Sequence, residues 1–426
     1  MAEPDGAFLL FVDLPKVGPY LAVLQARGLA PLVITAEPSS SMELAAARHV
    51  SDADHRLASI RELVSHAPAD ATAIVDTIGG WRTRYRIVGA FCASEPFVEA
   101  AAVVHDLLDL PGVGHRAARV SRNKFLQRSY LPDVSPRYTL VTAGTDGPWS
   151  IDFPAIVKPL DLWSSIGVRT VEDEGSLHAR LAEHPPGTHL LLEERIDGRE
   201  FNVDAIVVGG RPAFTGITQK GTNEEGSEYF VELVHTHPPT NVTSAEAERI
   251  LDVHLDVVRQ LSFDTGMAHA EYRVTGDGRV VLMEIAARPP GDGCLALYHL
   301  ATGESLESLL VAGALGIHGI HPGPRRRARQ VYFEHDAGVL HSVEVDAELA
   351  GTPEWLTDTG IWPDPRPGAP TDPPTLRNLF VLKERGEKLL PITESSTRAV
   401  TAIFDCPIEA AVDDFDERVR RSVQLR

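Results

Sequence analysis

The segment HAEYRVTGDGRVVLMEIAARPPGDG, residues 269–293, carries two glutamates, Glu271 and Glu284, on strand-like runs separated by Asp277-Gly278. Asp-Gly favours a two-residue type I′ hairpin loop. With that loop Gly276 faces Arg279 and, counting back along both strands, Glu271 faces Glu284. Directly opposed carboxylates destabilise a sheet unless something positive sits between them. Alternation places Val280, Leu282, Ala286 and Arg288 on the glutamate face, and Val281, Met283 and Ile285 on the other. A carboxylate pair among so many apolar residues needs a cation or a shared proton. Magnesium suits it, because hard divalent ions take oxygen ligands and magnesium usually bridges to substrate phosphates. The plainer alternative is two solvated glutamates at a sheet edge.

A phosphate held there calls for lysines from elsewhere. Lys124 follows VSRN and opens a helix; Lys158 ends the apolar run AIVK, so its ammonium projects from a rigid strand. The SSIGV that follows, with Ser164, Ser165 and Gly167, is a small-residue loop whose backbone N–H groups can cover phosphates. It is not the G-x-x-x-x-G-K-[ST] pattern. In LLLEERIDGRE, Glu193 and Glu194 end a strand and Glu200 opens the next, with DGR read as the turn of a hairpin. Carboxylates flanking such a turn can accept from an adenine amino group and a ribose hydroxyl, or simply be solvated.

Other elements must position these groups. Within the first 115 residues, strand FLLFVD, helix YLAVLQARG, strand APLVIT and a further apolar run, ATAIVDT (Ala71 to Thr77), alternate as in a parallel α/β sheet. No G-x-G-x-x-G follows the first strand, so a dinucleotide site has little support. A smaller unit follows, with PAIVKPL, the helix EGSLHARLAEH, and the pair HLLLEERI and EFNVDAIVV. Next comes a helix with a capping box, Thr243 with Glu246, and apolar Ile250, Val257, Val258 and Leu261 on one face. Beyond residue 320, six prolines fall between Pro363 and Pro374 before a strand RAVTAIFD and a helix PIEAAVDDFDERVRRSVQL.

Composition narrows the partners. The 426 residues carry 60 acidic against 40 basic side chains, a formal charge of −20 that repels nucleic-acid backbones and anionic lipids. The basic cluster RRRAR (Arg325 to Arg329) reads as a solvated stretch between elements. No apolar run approaches the ~20 residues of a spanning helix, and AFLLFVD lacks the basic flank of a signal peptide. A cytoplasmic protein without membrane or nucleic-acid partners is expected. Cys92, Cys294 and Cys406 are isolated and expected to be reduced thiols.

In order, Lys124, Lys158 with its loop, Glu193 to Glu200, and Glu271 to Glu284 followed by Arg288 resemble the ATP-grasp superfamily over about residues 115–320. Within it the chain is similar to carboxylate-amine ligases of the L-amino-acid ligase type. The resemblance implies an α/β and α+β architecture in four parts. These are an N-terminal Rossmann-like α/β domain (1–115), a small lid with its entry helix (116–208), a central antiparallel-sheet domain with the metal site (209–325) and a C-terminal subdomain (326–426). It implies ATP and one or two magnesium ions, with manganese as a substitute, small-molecule carboxylate and amine substrates such as amino acids, and a homodimer by analogy.

It also implies roles. Lys124 and Lys158 would hold ATP phosphates under the loop of Ser164, Ser165 and Gly167. Glu193 or Glu194, with the backbone near Ile196, would meet adenine and Glu200 the ribose. Glu271 and Glu284 would ligate magnesium; Arg288 would stabilise an acyl phosphate; Gly291, Asp292 and Gly293 would shape the substrate pocket. In KGTNEEGSEYFVELVHTHPP (Lys220 to Pro239), Lys220 would neutralise a phosphate or carboxylate, while Glu232 and His235 would contact amino-acid substrate. Residues three apart need a bulge to share a face of a strand. His269 would face the site from the strand of Glu271. The chain departs from the family at Ala286, where an asparagine is common; alanine ligates nothing, which bears on the number of magnesium ions. Another acyl-phosphate enzyme, such as a carboxylase or formate-using transferase, and a nucleotide-binding pseudoenzyme are the rival readings.

Overall fold

The computed structural model describes residues 6–145, 147, 149–224, 229–349 and 351–426. Residues 225–228 of the expected substrate loop lie outside this set. Four parallel strands, β1 (Gly6–Phe11), β2 (Ala30–Thr35), β3 (Glu62–Ser65) and β4 (Arg86–Cys92), form the first sheet in the order β3-β2-β1-β4. β1 is buried on both faces, which explains its unbroken apolar run. ATAIVDT, expected as a further apolar run of that alternation, is a helix, Ala71–Arg82. The Asp70 carboxylate caps it by accepting from the Ala73 N–H at 3.0 Å, and Ile74, Ile78 and Trp81 recur at helical spacing on its buried side.

The second sheet holds β5 (Tyr138–Thr142), β6 (Ala155–Pro159), β7 (Arg169–Val171) and β8 (His189–Glu194) in the order β5-β8-β6-β7. With the helix Glu174–Leu181 it encloses its own core, including Val141, Val157, Leu177 and Leu192. The third sheet has nine strands. β9 (Arg199–Val208), β10 (Arg211–Thr222), β11 (Glu232–His237), β12 (Gly266–Val274), β13 (Val280–Ala286) and β14 (Arg326–Tyr332) run in the order β13-β12-β9-β10-β11-β14. Val400–Pro407, Thr375–Val381 and Glu354–Trp355 continue it. The helix Ser244–Gln260 has the expected capping box, with Thr243 Oγ1 accepting from Glu246 N at 3.2 Å and Glu246 Oε2 from Thr243 N at 3.0 Å. Its Ile250, Val257 and Val258 pack in one core with Ala268, Ala270, Tyr272 and Leu282 of the large sheet.

Five further expectations change. DGR does not close a hairpin: β8 lies between β5 and β6, and β9 between β10 and β12, so neither strand has a free edge for the other. Residues 195–198 instead carry the chain between sheets, and β9 belongs to the large sheet rather than to a small unit ending at residue 208. At the far end β14 bridges β11 and Val400–Pro407, so the unit expected from residue 326 is hydrogen-bonded into that same sheet. RRRAR is not a solvated stretch either. Arg326 is 1% exposed; it pairs with Asp405 at 2.9 Å and donates to the carbonyls of Ala369 (2.7 Å) and Asp372 (2.8 Å), fixing the proline-rich segment. Arg329 reaches Asp413 and Asp416 on the last helix, Val412–Ser422. That helix stops short of the expected end, and Val423–Leu425 forms a strand. Among the described residues no helix is long and apolar enough to cross a membrane.

Candidate functional site

The expected opposition of Glu271 and Glu284 is present, reached by a different geometry. Thr275 N donates to Arg279 O at 3.0 Å, so the loop has three residues, 276–278, with Gly278 in the left-handed region at φ 84°. A bulge at Met283 absorbs the extra residue, so Tyr272 pairs with Leu282 but Glu271 with Glu284. The bulge also corrects the expected faces. Leu282 and Val280 join the core behind the sheet, while Val281 pairs with Arg273 on the glutamate face and Met283 lines the pocket. A second bulge, at Leu233, pairs Thr222 with Glu232 and Lys220 with His235, and so brings Glu232 and His235 onto one face as the three-residue spacing requires.

On that face β9 contributes Glu200, Asn202 and Asp204, and β12 contributes Arg273, Glu271 and His269 directly opposite them. Lys220 Nζ sits among Glu200 (2.6 Å), Glu271 (2.9 Å) and Glu232 (3.1 Å), and Lys124 Nζ meets Glu284 at 2.9 Å. Each member of the opposed pair thus has its own lysine. Burial pushes the Glu271 carboxyl above its usual range; Lys220 works against that, and Glu232, Glu200 and Glu284 reinforce it. Burial also opposes the charge of Glu200, but Lys220 and Arg273 outweigh it and hold the carboxyl down at about 2. Arg273 donates to Glu200 Oε2 at 2.8 Å and to the Ile196 carbonyl at 2.9 Å, and pairs with Glu224.

Toward the second sheet the pattern inverts. Lys158 Nζ lies 2.6 Å from Glu193 Oε2, Arg128 Nε 2.5 Å from Oε1, and Arg128 Nη2 donates to the carbonyl of the bulged Met283 at 2.6 Å. Burial pulls the Lys158 ammonium below its usual value, and the neighbouring Glu193 partly restores it. Glu193 is 3% exposed with both oxygens engaged, so it is the counter-ion of the lysine rather than the free adenine acceptor expected. Lys124 also donates to the Leu162 carbonyl at 2.5 Å, clasping the loop in which Ser164, Ser165 and Gly167 have φ of 57°, 59° and 74°.

One cavity gathers Lys124, Lys158, Ser164, Ser165, Glu193, Glu194, Ile196, Glu200, Lys220, Glu232, His235, His269, Glu271, Glu284, Arg288, Gly291 and Asp292. Gly167 and Gly293 are not on its wall. A Cβ on Gly167 would come 2.9 Å from Pro159, and Gly293 donates to Gln330 Oε1 at 2.8 Å, so both serve backbone packing. Sequence reasoning missed Asn202 and Asp204, whose signal was the alternating polar pattern E-x-N-x-D in an apolar strand. Asp204 accepts from Tyr298 OH at 2.6 Å and fixes His269 through Nδ1 at 2.9 Å. It also missed Glu95 of the first domain, which holds Arg288 Nε at 2.5 Å, and Arg398, a cavity residue from the C-terminal segment.

Residues 151–296 match the ATP-grasp domain. The D-alanine–D-alanine ligase of Alkalilimnicola ehrlichii is 30% identical over 141 residues, covering 33% of this chain and 45% of that ligase. The D-alanine–D-alanine ligase of Lactococcus lactis subsp. cremoris is 25% identical over 146 residues, covering 33% and 41%. The chain spans less than half the length of these relatives. L-amino acid ligase from Bacillus licheniformis superposes with a TM-score of 0.77 over 100% of this chain and 99% of that one, at 19% identity. Phosphoribosylglycinamide synthetase from Anaerococcus prevotii gives 0.69 over 99% and 100%, at 13% identity. The chain carries an ATP-grasp domain within an ATP-grasp fold.

Proposed function

We propose that the chain is an ATP-dependent carboxylate-amine ligase that forms an amide through an acyl phosphate, releasing ADP and phosphate. The observation that carries this is the pocket in which the opposed carboxylate pair, Lys158 and Arg288 of the matched ATP-grasp domain meet Lys124 from the helix before it. Among the described residues no three His, Cys, Asp or Glu side chains converge into a self-sufficient metal cage. Two carboxylates facing a phosphate pocket nevertheless fit magnesium, which usually takes one or two carboxylates and completes its shell with substrate phosphates and water. Glu271 and Glu284 would hold it, and it would supply charge neutralisation on the phosphoryl oxygens.

The chain's own groups do the rest. Lys158 and Lys124 bind phosphate oxygens, and Lys124 tethers the covering loop so that water is kept from the acyl phosphate. The Glu194 carboxylate and the backbone at Arg195 and Ile196 face adenine. Glu200, engaged by two cations, keeps lone pairs for ribose hydroxyls. The substrate carboxylate attacks the γ-phosphate in line; Arg288, aimed by Glu95, stabilises the acyl phosphate and the tetrahedral adduct as the amine displaces phosphate. His235 and Glu232 border the substrate end. Burial, against the pull of Asp292 and Glu232, lowers the His235 imidazole to about 4, so it is neutral near pH 7 and free to accept a hydrogen bond.

The test is ADP release from ATP and magnesium across pairwise mixtures of amino acids and simple amines, with Glu284→Gln as control. Release requiring two substrates, with an amide of the summed mass less water, supports the ligase. Release with bicarbonate or formate alone would instead assign a different acyl phosphate.

A further inference from the structure

The substrate end of the cavity contains two buried polar atoms without a partner among the described residues, Asn202 Oδ1 and His235 Nδ1. Their side chains are 4% and 2% exposed, and both residues line the cavity. Orphaned buried polar groups are rare in folded proteins and call for a ligand or an ordered water. Asn202 lies directly across from Glu271, and its Nδ2 points to Cys294 Sγ at 4.0 Å, next to the loop of Asp292.

Arg398 reaches the same place from just before the strand Val400–Pro407. Its Nη1 donates to Asp292 Oδ2 and to the Glu232 carbonyl, both at 3.0 Å; Nη2 donates to Asp292 Oδ1 at 2.7 Å and Nε to the Ser395 carbonyl at 3.0 Å. A guanidinium has five N–H donors in a fixed fork. Four are used, and the second N–H of Nη2 has no acceptor among the described residues. Ser395 Oγ, from the same segment, donates to Glu232 Oε2 at 3.2 Å. Acceptors for an amine and a spare guanidinium donor for a carboxylate therefore line one cavity, the guanidinium held over the Tyr332 ring at 3.9 Å from its centroid.

We infer that Arg398 is a specificity-determining residue: it binds the free carboxylate of the amine substrate while Asn202 and His235 accept from its nitrogen. This rests on the ligase reading, and it gives the C-terminal segment a task that reading leaves unassigned. A substrate with its carboxylate capped as an amide loses the charge-assisted bond and leaves the guanidinium facing a second donor.

Two readouts keep the inference and the ligase reading apart. Calorimetric binding of L-amino acids and their amides, with ADP and magnesium present, is compared with ADP release by the same compounds in the presence of ATP. The wild type is expected to bind at least one amino acid about 10-fold more tightly than its amide, the worth of one charge-assisted hydrogen bond. Arg398→Lys keeps the charge but loses the fork, and is expected to shrink that ratio to less than about 3-fold. Asn202→Leu weakens acid and amide together. Equal binding of acid and amide by the wild type, or a ratio that survives Arg398→Lys, overturns the proposal, since a purely structural clamp weakens both forms alike. An Arg398-dependent ratio without ADP release from any pair supports the subsite and sinks the ligase.

Discussion

Around Glu193 two cations share one carboxylate, whereas around Lys220 three carboxylates share one cation. The first cluster is the tighter, with Arg128 and Glu193 almost wholly buried and both Glu193 oxygens taken, and it meets the cavity edge through Lys158 and Glu193. The second opens on the cavity through Glu271, whose side chain is 27% exposed, and beyond it Glu284 at 30%. Even with Arg273, which pairs with Glu200 and Glu224, carboxylates outnumber cations there. A surplus of positive charge invites phosphate, and a surplus of negative charge invites a divalent cation. One pocket can then receive both halves of a metal–nucleotide complex at once.

The largest expected effect comes from breaking the tighter cluster. Arg128→Met leaves Glu193 with Lys158 alone and is expected to cost about 3–5 kcal/mol of stability, the usual consequence of removing one partner of a buried pair. Urea denaturation measures it, and a loss below 1 kcal/mol would mean that the two clusters do not differ in kind. Next is Glu284→Gln at the open cluster, expected to lower ADP release about 100-fold with an unchanged urea midpoint; a matching loss of stability would make it another structural pair.

A smaller effect separates burial from charge. His235 beside two carboxylates and His254 behind the sheet are both lowered to about 4, in each case chiefly by burial. Their folded values lie below the 6.5 of an ordinary histidine, so the unfolded chain binds more protons between about 6.5 and 4. Their contribution to stability is complete above pH 6.5 and is lost as the pH falls toward 4. Each contributes about 1 kcal/mol per pH unit in that window, and His254→Gln should flatten the urea-midpoint profile accordingly. A steeper profile would show that carboxylates, not burial, govern these rings. The smallest effect is expected from Glu271→Gln, which relieves a carboxyl that burial already disfavours. Its melting temperature should match or slightly exceed that of the parent while activity falls.

The opposition of the glutamate pair was legible from strand alternation about a turn, and Lys158 from the apolar run it ends. Lys124 and the spacing of Glu232 and His235 came instead from the family resemblance, since alternation alone sets residues three apart on opposite faces. The turn was misread by one residue, since Gly278 suits a three-residue loop as well as a two-residue one. The β8 to β9 connection was misread because a short polar turn between two apolar runs looks like a hairpin whether or not the strands have free edges. RRRAR looked solvated because its partners, the buried Asp405 and the exposed Asp413, lie about eighty residues away in sequence. Glu95 and Arg398 were invisible for the same reason: nothing near either of them announces the residue it holds. ATAIVDT concealed a helix because its β-branched residues mask the 3.6-residue period that Asp70 begins.

The bulge at Met283 gives β13 one residue more than the opposition of Glu271 and Glu284 requires. A chain lacking one loop residue and the bulged residue together would still oppose its two glutamates. Loss of the bulged residue alone would keep them opposed as well, because Tyr272 would still pair with Leu282 and Glu284 would follow it directly onto the face of Glu271. The paired deletion would still remove the carbonyl that Arg128 grips. In descendants of this sequence the surplus residue is therefore expected to persist wherever Arg128 does, since what it supplies is the carbonyl that Arg128 holds rather than the opposition of the glutamates.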